Sequence, residues 1–173
     1  LSVPKAFSDD AATAGPFEFM VAVGFSFEFV LTSLLFVPFM SGAAYNGDMA
    51  TVTFGFPAQS DESRHMTLGL EAVKFMLEQD PDNVPIVQEW MDKWLWRGYR
   101  LLSIVSAMMD YMLPNSPTSW SEAVSLYIEQ NAMALYSDLE RYGIEKPMKM
   151  LEKIVAEKEH YSHQVWKTLY VHG

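Results

Sequence analysis

The sequence predicts an all-α protein. Long stretches rich in apolar residues are separated by short segments that contain Pro, Gly and Asn, the residues that end helices. The chain contains no convincing strand pattern, internal repeat or low-complexity tract. Glu62 and His65 are three residues apart, a spacing that places both side chains on one face of a helix. These observations favour a helical bundle that can present a carboxylate and an imidazole to one point.

Composition and charge narrow the class of protein. The chain has 173 residues, of which 50% are hydrophobic and 14% aromatic, enough for one domain with a sizeable core. The net charge of −10 argues against nucleic-acid binding, which depends on cations that neutralise phosphates. Because the chain has no Cys, it contains no disulfide, thiolate zinc site, iron–sulfur ligand or catalytic cysteine, and the cytoplasm is the expected location.

The ends of the chain indicate a longer polypeptide. The sequence begins at Leu1 without Met or a signal-like segment, and it reaches Gly173 without a preceding helix stop. We therefore expect an internal fragment, with residues 1–173 forming part of a single domain.

The first segments predict two helices joined by a turn. Residues 1–15 have the pattern of one helix ending and a turn into the next. Residues 17–39 are apolar and long enough to cross a bilayer, but they include Glu18 and Glu28 and lack basic flanks. A buried helix of a large bundle is the better interpretation. Turn residues from Ser41 to Asp48 predict a short break after it.

Three further helices are predicted downstream. One runs from about Met49 to about Gln79, and the Asp-Pro-Asp-Asn-Val-Pro segment at 80–85 ends it. The next covers residues 86–112 and is rich in aromatic residues that suit core packing better than a partner surface. After a loop at 113–117, Ser119 or Ser121 can cap a helix that ends near Tyr142 and Gly143. A final helix is expected over about 148–170.

Glu28 lies among phenylalanines, where an ionised carboxylate is costly unless a charged group pairs with it. No Lys or Arg occurs between Lys5 and Arg64, so the partner comes from elsewhere in the fold. Glu62 and His65 lie in the neighbouring helix, and a metal ion would serve all three residues. The alternatives are a protonated or hydrogen-bonded core Glu28, or a salt bridge to Arg64.

Residues beside these three can support a metal site. Asp61 could orient a ligating His from another helix, and Arg64 could pair with such an Asp or offset carboxylate charge. Thr32 is one helical turn after Glu28, so its hydroxyl could hydrogen-bond a metal-bound oxygen species or relay a proton. It could equally donate a hydrogen bond to its own helix.

A second Glu-x-x-His at Glu157 and His160 offers a competing set together with Glu129, 28 residues upstream of Glu157. Its surroundings are mostly polar and include Lys153, Lys158 and Glu159, which is typical of a solvated helix face. This pair is therefore the weaker candidate for metal binding.

The sequence resembles the large (α) oxygenase subunit of bacterial multicomponent monooxygenases, which are soluble di-iron hydroxylases, and in particular their phenol hydroxylase branch. The resemblance covers essentially the whole chain. It depends on the stretches 14–19 (AGPFEF), 25–32 (FSFEFVLT), 46–48 (NGD), 59–66 (QSDESRHM), 78–85 (EQDPDNVP) and 138–144 (DLERYGI).

The resemblance implies a ferritin-like bundle in which two Fe ions are bound by two half-sites, each with one Glu and a Glu-x-x-His. Glu28, Glu62 and His65 would form the second half, and the first half would lie upstream of Leu1. Glu157 and His160 fall downstream of every ligand in the family pattern.

The family's active-site Thr maps to Thr32. The resemblance implies that Phe7, Phe27 and Phe36 correspond to the aromatic residues of the family's substrate pocket, with Gln59 nearby. Ser33 departs from the Asn that relatives usually carry after that Thr, which weakens any pore-gating role based on the amide.

The activity implied by the resemblance is O₂- and NADH-dependent hydroxylation of phenol or a related aromatic. Hydroxylase β and γ subunits, a small regulatory protein and a flavin/iron–sulfur NADH reductase would be the partners. Two alternatives remain: a non-catalytic helical scaffold subunit of the same assembly, and a compact ferritin-like iron protein that uses Glu129, Glu157 and His160.

Overall fold

The structure is a computed structural model that describes residues 2–112 and 133–149, together with positions 115, 119, 122, 130, 152, 153, 160 and 167. Every element assigned within these residues is helical, which confirms the all-α prediction. None of the helices formed by the described residues is long and apolar enough to cross a membrane. The elements are α1 (Ser2–Thr13), α2 (Pro16–Val21), a π-helix (Ala22–Thr32), α3 (Ser33–Tyr45), α4 (Met49–Gln79), α5 (Asn83–Met112), α6 (Met133–Leu139) and a 3₁₀ turn (Glu140–Tyr142).

The apolar stretch predicted as one α-helix over 17–39 is an unbroken run of α2, the π-helix and α3. It starts at Pro16, whose missing N–H suits the first helical position, after the extended Gly15. The prediction was wrong about the helix type, because a π-helix of eleven residues occupies the middle of the run. It also ended the run too early, since α3 continues through Ser41 to Tyr45.

The turn between α3 and α4 lies within the predicted break. Gly47 has φ of +77°, a conformation that favours glycine. Asp48 then caps α4 by accepting a 3.1 Å hydrogen bond from the Thr51 backbone N–H. The carboxylate also accepts from the Thr51 hydroxyl, and these bonds lower the pKa of Asp48. The observed span of α4 matches the predicted one.

Helix α5 begins at Asn83, three residues before the predicted start. The Asn83 side chain donates a 2.8 Å hydrogen bond to the Met76 carbonyl and so ties the start of α5 to the end of α4. Pro85 is compatible with this early start because an N–H in the first turn has no intrahelical acceptor.

The core is organised around α5. Trp94, Leu95 and Leu102 are fully buried, and α5 packs mainly against the π-helix. Trp94 contacts Phe7 of α1 edge to face, with ring centroids 5.4 Å apart. Tyr99 is also buried, whereas Trp90 and Trp96 are partly buried. The expectation that these rings serve the core is therefore confirmed.

Glu18, one of the two acidic residues that argued against a membrane span, has two hydrogen-bond partners on α5. Its Oε1 accepts hydrogen bonds from Lys93 Nζ at 2.6 Å and from Trp94 Nε1 at 3.1 Å. A second ion pair joins Asp10 of α1 to Arg97, one turn further along α5. Polar contacts thus fix α1 and α2 along one side of α5.

The C-terminal part is described only in pieces. Ser119 Oγ accepts a 3.0 Å hydrogen bond from the Glu122 N–H, as its predicted capping role requires. The predicted helix end near Tyr142 is confirmed, with Gly143 left-handed at φ of +91°. Most of the final predicted helix, including Glu157, lies outside the described residues, as does Glu129.

Replacing Trp94 tests the central role of α5. We expect Trp94→Ala to lower the free energy of unfolding by about 3–5 kcal/mol, the range for removing a large buried aromatic side chain. Glu71→Ala is the control, because the Glu71 side chain is 60% exposed and its loss leaves no internal cavity. Chemical denaturation of the intact protein measures both, and equal effects of the two substitutions would contradict this assignment.

Candidate metal centre

Glu28, Glu62 and His65 converge in the folded chain. Each residue offers one ligand atom, and the three atoms lie within 4.8 Å of one another. His65 Nδ1 is 3.4 Å from Glu62 Oε2 and 3.7 Å from Glu28 Oε1. Two carboxylates and an imidazole therefore surround one point, as the sequence predicted.

Two antiparallel helices produce this convergence. Glu28 projects from the π-helix, whereas Glu62 and His65 project from α4 after the tight turn at Gly47. The antiparallel register is visible in the paired glycines, since Gly24 meets Gly69 further from the turn. The Glu-x-x-His spacing places Glu62 and His65 on one face of α4. The antiparallel pairing of α4 with the π-helix brings Glu28 close to them.

The two carboxylates are poorly compensated within the described residues. The Glu28 and Glu62 side chains are 13% and 18% exposed, whereas His65 is 56% exposed. Oε2 of each Glu is buried, and neither atom has a hydrogen-bond partner in the described part of the chain. Buried acceptors left in this state are costly, and a cation between them would satisfy both.

Burial, together with the hydrogen bond and negative charge of neighbouring Glu62, raises the pKa of Glu28 to about 7. His65 opposes part of this shift. Glu28 can therefore hold a proton near neutral pH, or release that proton when a cation binds. The donor set of carboxylate oxygen and imidazole nitrogen suits iron and related divalent metals.

The predicted supporting residues behave differently from the ligand set. Arg64 forms an exposed ion pair with Asp61, three residues away on α4. The alternative in which Arg64 neutralises Glu28 is therefore not what the structure shows. The separate expectation that Arg64 pairs with an Asp agrees with this contact.

Thr32 forms a hydrogen bond within its own helix, the second of the two roles that the sequence allowed for its hydroxyl. Its Oγ1 donates to the Phe27 carbonyl at 3.0 Å, five residues back, as the wider turn of a π-helix allows. Glu28 and Thr32 are therefore not separated by one regular α-helical turn, because both lie in the π-helix. The hydroxyl retains lone pairs that can accept a hydrogen bond.

Of the predicted pocket residues, the structure brings Phe7 and Phe27 together, with ring centroids 6.4 Å apart. Phe7 is buried, whereas Phe27 is 45% exposed. Phe36 and Gln59 are half-buried, and Gln59 Oε1 is buried without a hydrogen-bond partner among the described residues. A small cavity of about 10 Å³ lies instead beside Gly24, Phe25, Met66, Gly69, Leu70 and Met91, none of which the sequence suggested.

The competing set cannot be assembled from the described residues. His160 is exposed, and its proposed companions Glu129 and Glu157 lie outside the described part of the chain.

The described helices and this cluster define a helical protein with a candidate carboxylate-rich metal centre, an arrangement typical of ferritin-like bundles. Comparison with known proteins agrees. Residues 1–80, which contain all three candidate ligands, match the family described as methane/phenol/alkene hydroxylase.

The relatives extend the match to almost the whole chain. The sequence is 71% identical over 170 residues to the phenol 2-monooxygenase oxygenase component DmpN of Pseudomonas sp. strain CF600, covering 98% of this chain and 33% of that protein. It is 28% identical over 149 residues to the large subunit of the hydroxylase component of a propane 2-monooxygenase from Gordonia sp. strain TY-5, covering 80% of this chain and 26% of that protein.

A solved structure agrees in fold. The crystal structure of xenon-pressurized phenol hydroxylase from Pseudomonas sp. OX1 superposes with a TM-score of 0.85 at 70% identity, covering 98% of this chain and 34% of that one. By this match residues 1–80 belong to the methane/phenol/alkene hydroxylase family, and the similarity to these relatives extends over most of the chain. The chain spans about a quarter to a third of the length of the curated relatives.

Metal uptake at this site should depend on pH. Because Glu28 has a pKa of about 7 in the metal-free protein, a metal ion must displace a proton from it below neutrality. We expect the affinity for Co²⁺ to rise between pH 6 and pH 8, measured by titration of the metal-free intact protein. Asp48→Asn is a control that should leave this dependence unchanged, and an affinity independent of pH would contradict the role of Glu28.

Proposed function

We propose that this chain is part of the oxygenase subunit of a multicomponent phenol hydroxylase, in which Glu28, Glu62 and His65 bind iron as one half of a di-iron centre. Residues 1–173 would belong to a single ferritin-like domain of a longer polypeptide. The observation that carries the proposal is the convergence of the three side chains, with one buried carboxylate oxygen of each Glu lacking a hydrogen-bond partner among the described residues.

The other half of the site would come from the same polypeptide, before residue 1. Two irons in this class of bundle take one Glu and a Glu-x-x-His from each half, and the described chain supplies one such set. The gene sequence preceding Leu1 tests this directly. An upstream region without a Glu and a Glu-x-x-His would contradict the di-iron proposal.

When bound, the iron pair would supply O₂ activation for hydroxylation of phenol or a related aromatic, with electrons from NADH. The residues of this chain would prepare the site for that chemistry. Glu28 and Glu62 offer negative charge from partly desolvated positions, and Glu28 can hold a proton near neutral pH. A cation is therefore the group that the pair stabilises best.

The polar and aromatic residues near Glu28 would shape the reaction space. Thr32 is the proposed catalytic hydroxyl, held through its bond to Phe27 and able to accept a hydrogen bond from a protonated group. Phe7 and Phe27 would exclude water and contact an aromatic substrate, with Phe36 and Gln59 as further pocket residues. Asp61 and Arg64 would support the ligand helix through their ion pair.

Partners are proposed on the same basis. A relative named as an oxygenase component implies further components, and those proposed are β and γ hydroxylase subunits, a small regulatory protein and a flavin/iron–sulfur NADH reductase. Large apolar side chains are left uncovered on α4, including Phe54 and Phe56, at 70% and 65% exposure. Such a surface favours further packing, either by the rest of the polypeptide or by another subunit.

Ligand substitutions test the proposed function in the intact protein. We expect Glu62→Gln and His65→Ala each to reduce bound iron and phenol hydroxylation at least about 10-fold, because each removes a ligand atom from the cluster. Iron content and product formation with purified reductase and regulatory protein are the measurements.

Two controls separate this proposal from its alternatives. Glu71→Gln alters an exposed carboxylate of the same helix, paired with Lys74, and should leave iron content unchanged. His160→Ala removes the competing histidine and should also have no effect. Loss of iron in His160→Ala with retention in His65→Ala would favour the compact ferritin-like alternative, and an iron-free unaltered protein would favour the scaffold alternative.

A further inference from the structure

The π-helix and α4 touch backbone to backbone at two glycines. A Cβ placed on Gly24 would lie 2.6 Å from the Gly69 Cα, and a Cβ on Gly69 would lie 2.6 Å from the Gly24 Cα. Neither helix could approach so closely with any side chain at these positions, because real Cβ contacts do not occur at that distance. The two glycines thus set the minimum separation of the helices that carry the candidate ligands.

This contact lies about one turn from the ligands on both helices. Gly24 precedes Glu28 by four residues in the π-helix, and Gly69 follows His65 by four residues in α4. In α4 the four residues from His65 to Gly69 rise about 6 Å, so a change of helix separation at the glycines is expected to reach the ligand atoms. Ligand atoms that lie within 4.8 Å of one another leave little room for such a change.

The opposite side of the π-helix is fixed to α5 by Ser26. This side chain is fully buried, and its Oγ donates a 2.7 Å hydrogen bond to the Trp94 carbonyl. Gly98 makes room for it, since a Cβ there would lie 2.3 Å from Ser26 Oγ. Ser26 is two residues before Glu28 and two after Gly24, so the π-helix is fixed on both sides near its ligand.

We propose that Gly24, Gly69 and Ser26 are positioning residues of the metal centre, which set the distance between Glu28 and the Glu62–His65 pair. This inference rests on the proposed function, because it assumes that the three side chains bind a metal. None of the positioning residues contacts the metal, so their effect is on the geometry of the ligands.

Gly69→Ala in the intact polypeptide is the principal test. The added methyl group meets backbone that has no side chain to rotate away, so the helices must separate. We expect iron to be released to a ferrous chelator at least about 10-fold faster than from the unaltered protein, comparable to the loss of an outer-shell support. Circular dichroism and size-exclusion chromatography establish that the variant is folded.

Gly55→Ala is the matched control. Gly55 is a second buried glycine of α4, so the substitution has the same effect on helix propensity. Its new Cβ would meet only the Met40 side chain, at 2.4 Å from Cγ and 2.6 Å from Sδ, and that flexible side chain can move. Iron release from Gly55→Ala should match the unaltered protein, and equal release from both folded variants would overturn the proposal.

Ser26→Ala decides the question if Gly69→Ala does not fold, because it removes a hydrogen bond and adds no atoms. We expect iron release about threefold to tenfold faster, the scale of one lost neutral hydrogen bond. Ser106→Ala is its control, since Ser106 is buried and its Oγ donates to the Leu102 carbonyl of its own helix. Unchanged release in Ser26→Ala would overturn the proposal.

Iron binding by the unaltered protein tests the proposed function separately from the positioning role. If the unaltered protein binds iron and Glu62→Gln does not, the proposed function is supported. The glycine and serine variants then test the positioning role alone. If the unaltered protein binds no iron, the proposed function fails and the positioning role fails with it.

Discussion

The close placement of two carboxylates, Glu28 and Glu62, is the constraint on which the site depends. Buried oxygens of both residues lack hydrogen-bond partners in the described part of the chain. Burial, together with the hydrogen bond and negative charge of Glu62, raises the pKa of Glu28. A fold does not gain stability from such a pair, because each charge loses hydration. Under the proposed function the same arrangement would bind a cation, so the feature that weakens the metal-free protein is the one that would serve that function.

The rest of the described structure holds this arrangement in place. Helix α5 provides the scaffold: Trp94 is fully buried, its indole N–H bonds Glu18, and its carbonyl accepts from Ser26. Trp94 thus links the core to Glu18 and Ser26, two residues of the helical run that carries Glu28. On the other side, Gly24 and Gly69 let α4 approach until backbone meets backbone. The ligand cluster lies between a hydrogen-bonded scaffold and a direct helix contact.

Local signals in the sequence predicted most of the helix boundaries and the ligand set. Turn residues such as Gly47 and the Asp48 cap act within a few residues, so the start of α4 was predictable. The π-helix was not, because its geometry depends on packing on both sides and has no residue pattern of its own. The partners of Glu18 could not be predicted for a related reason, since Lys93 and Trp94 are more than seventy positions away.

The sequence by itself determined the chemistry of the candidate site: a carboxylate and a histidine three residues apart in a helix, and a second carboxylate in an apolar segment with no basic residue near it. Helical periodicity and the cost of a buried charge act through residue type and spacing, which a sequence contains. Only the tertiary structure decided how near those groups come. That distance is set by contacts between remote residues, Gly24 with Gly69 and Ser26 with the Trp94 carbonyl, which no local pattern specifies.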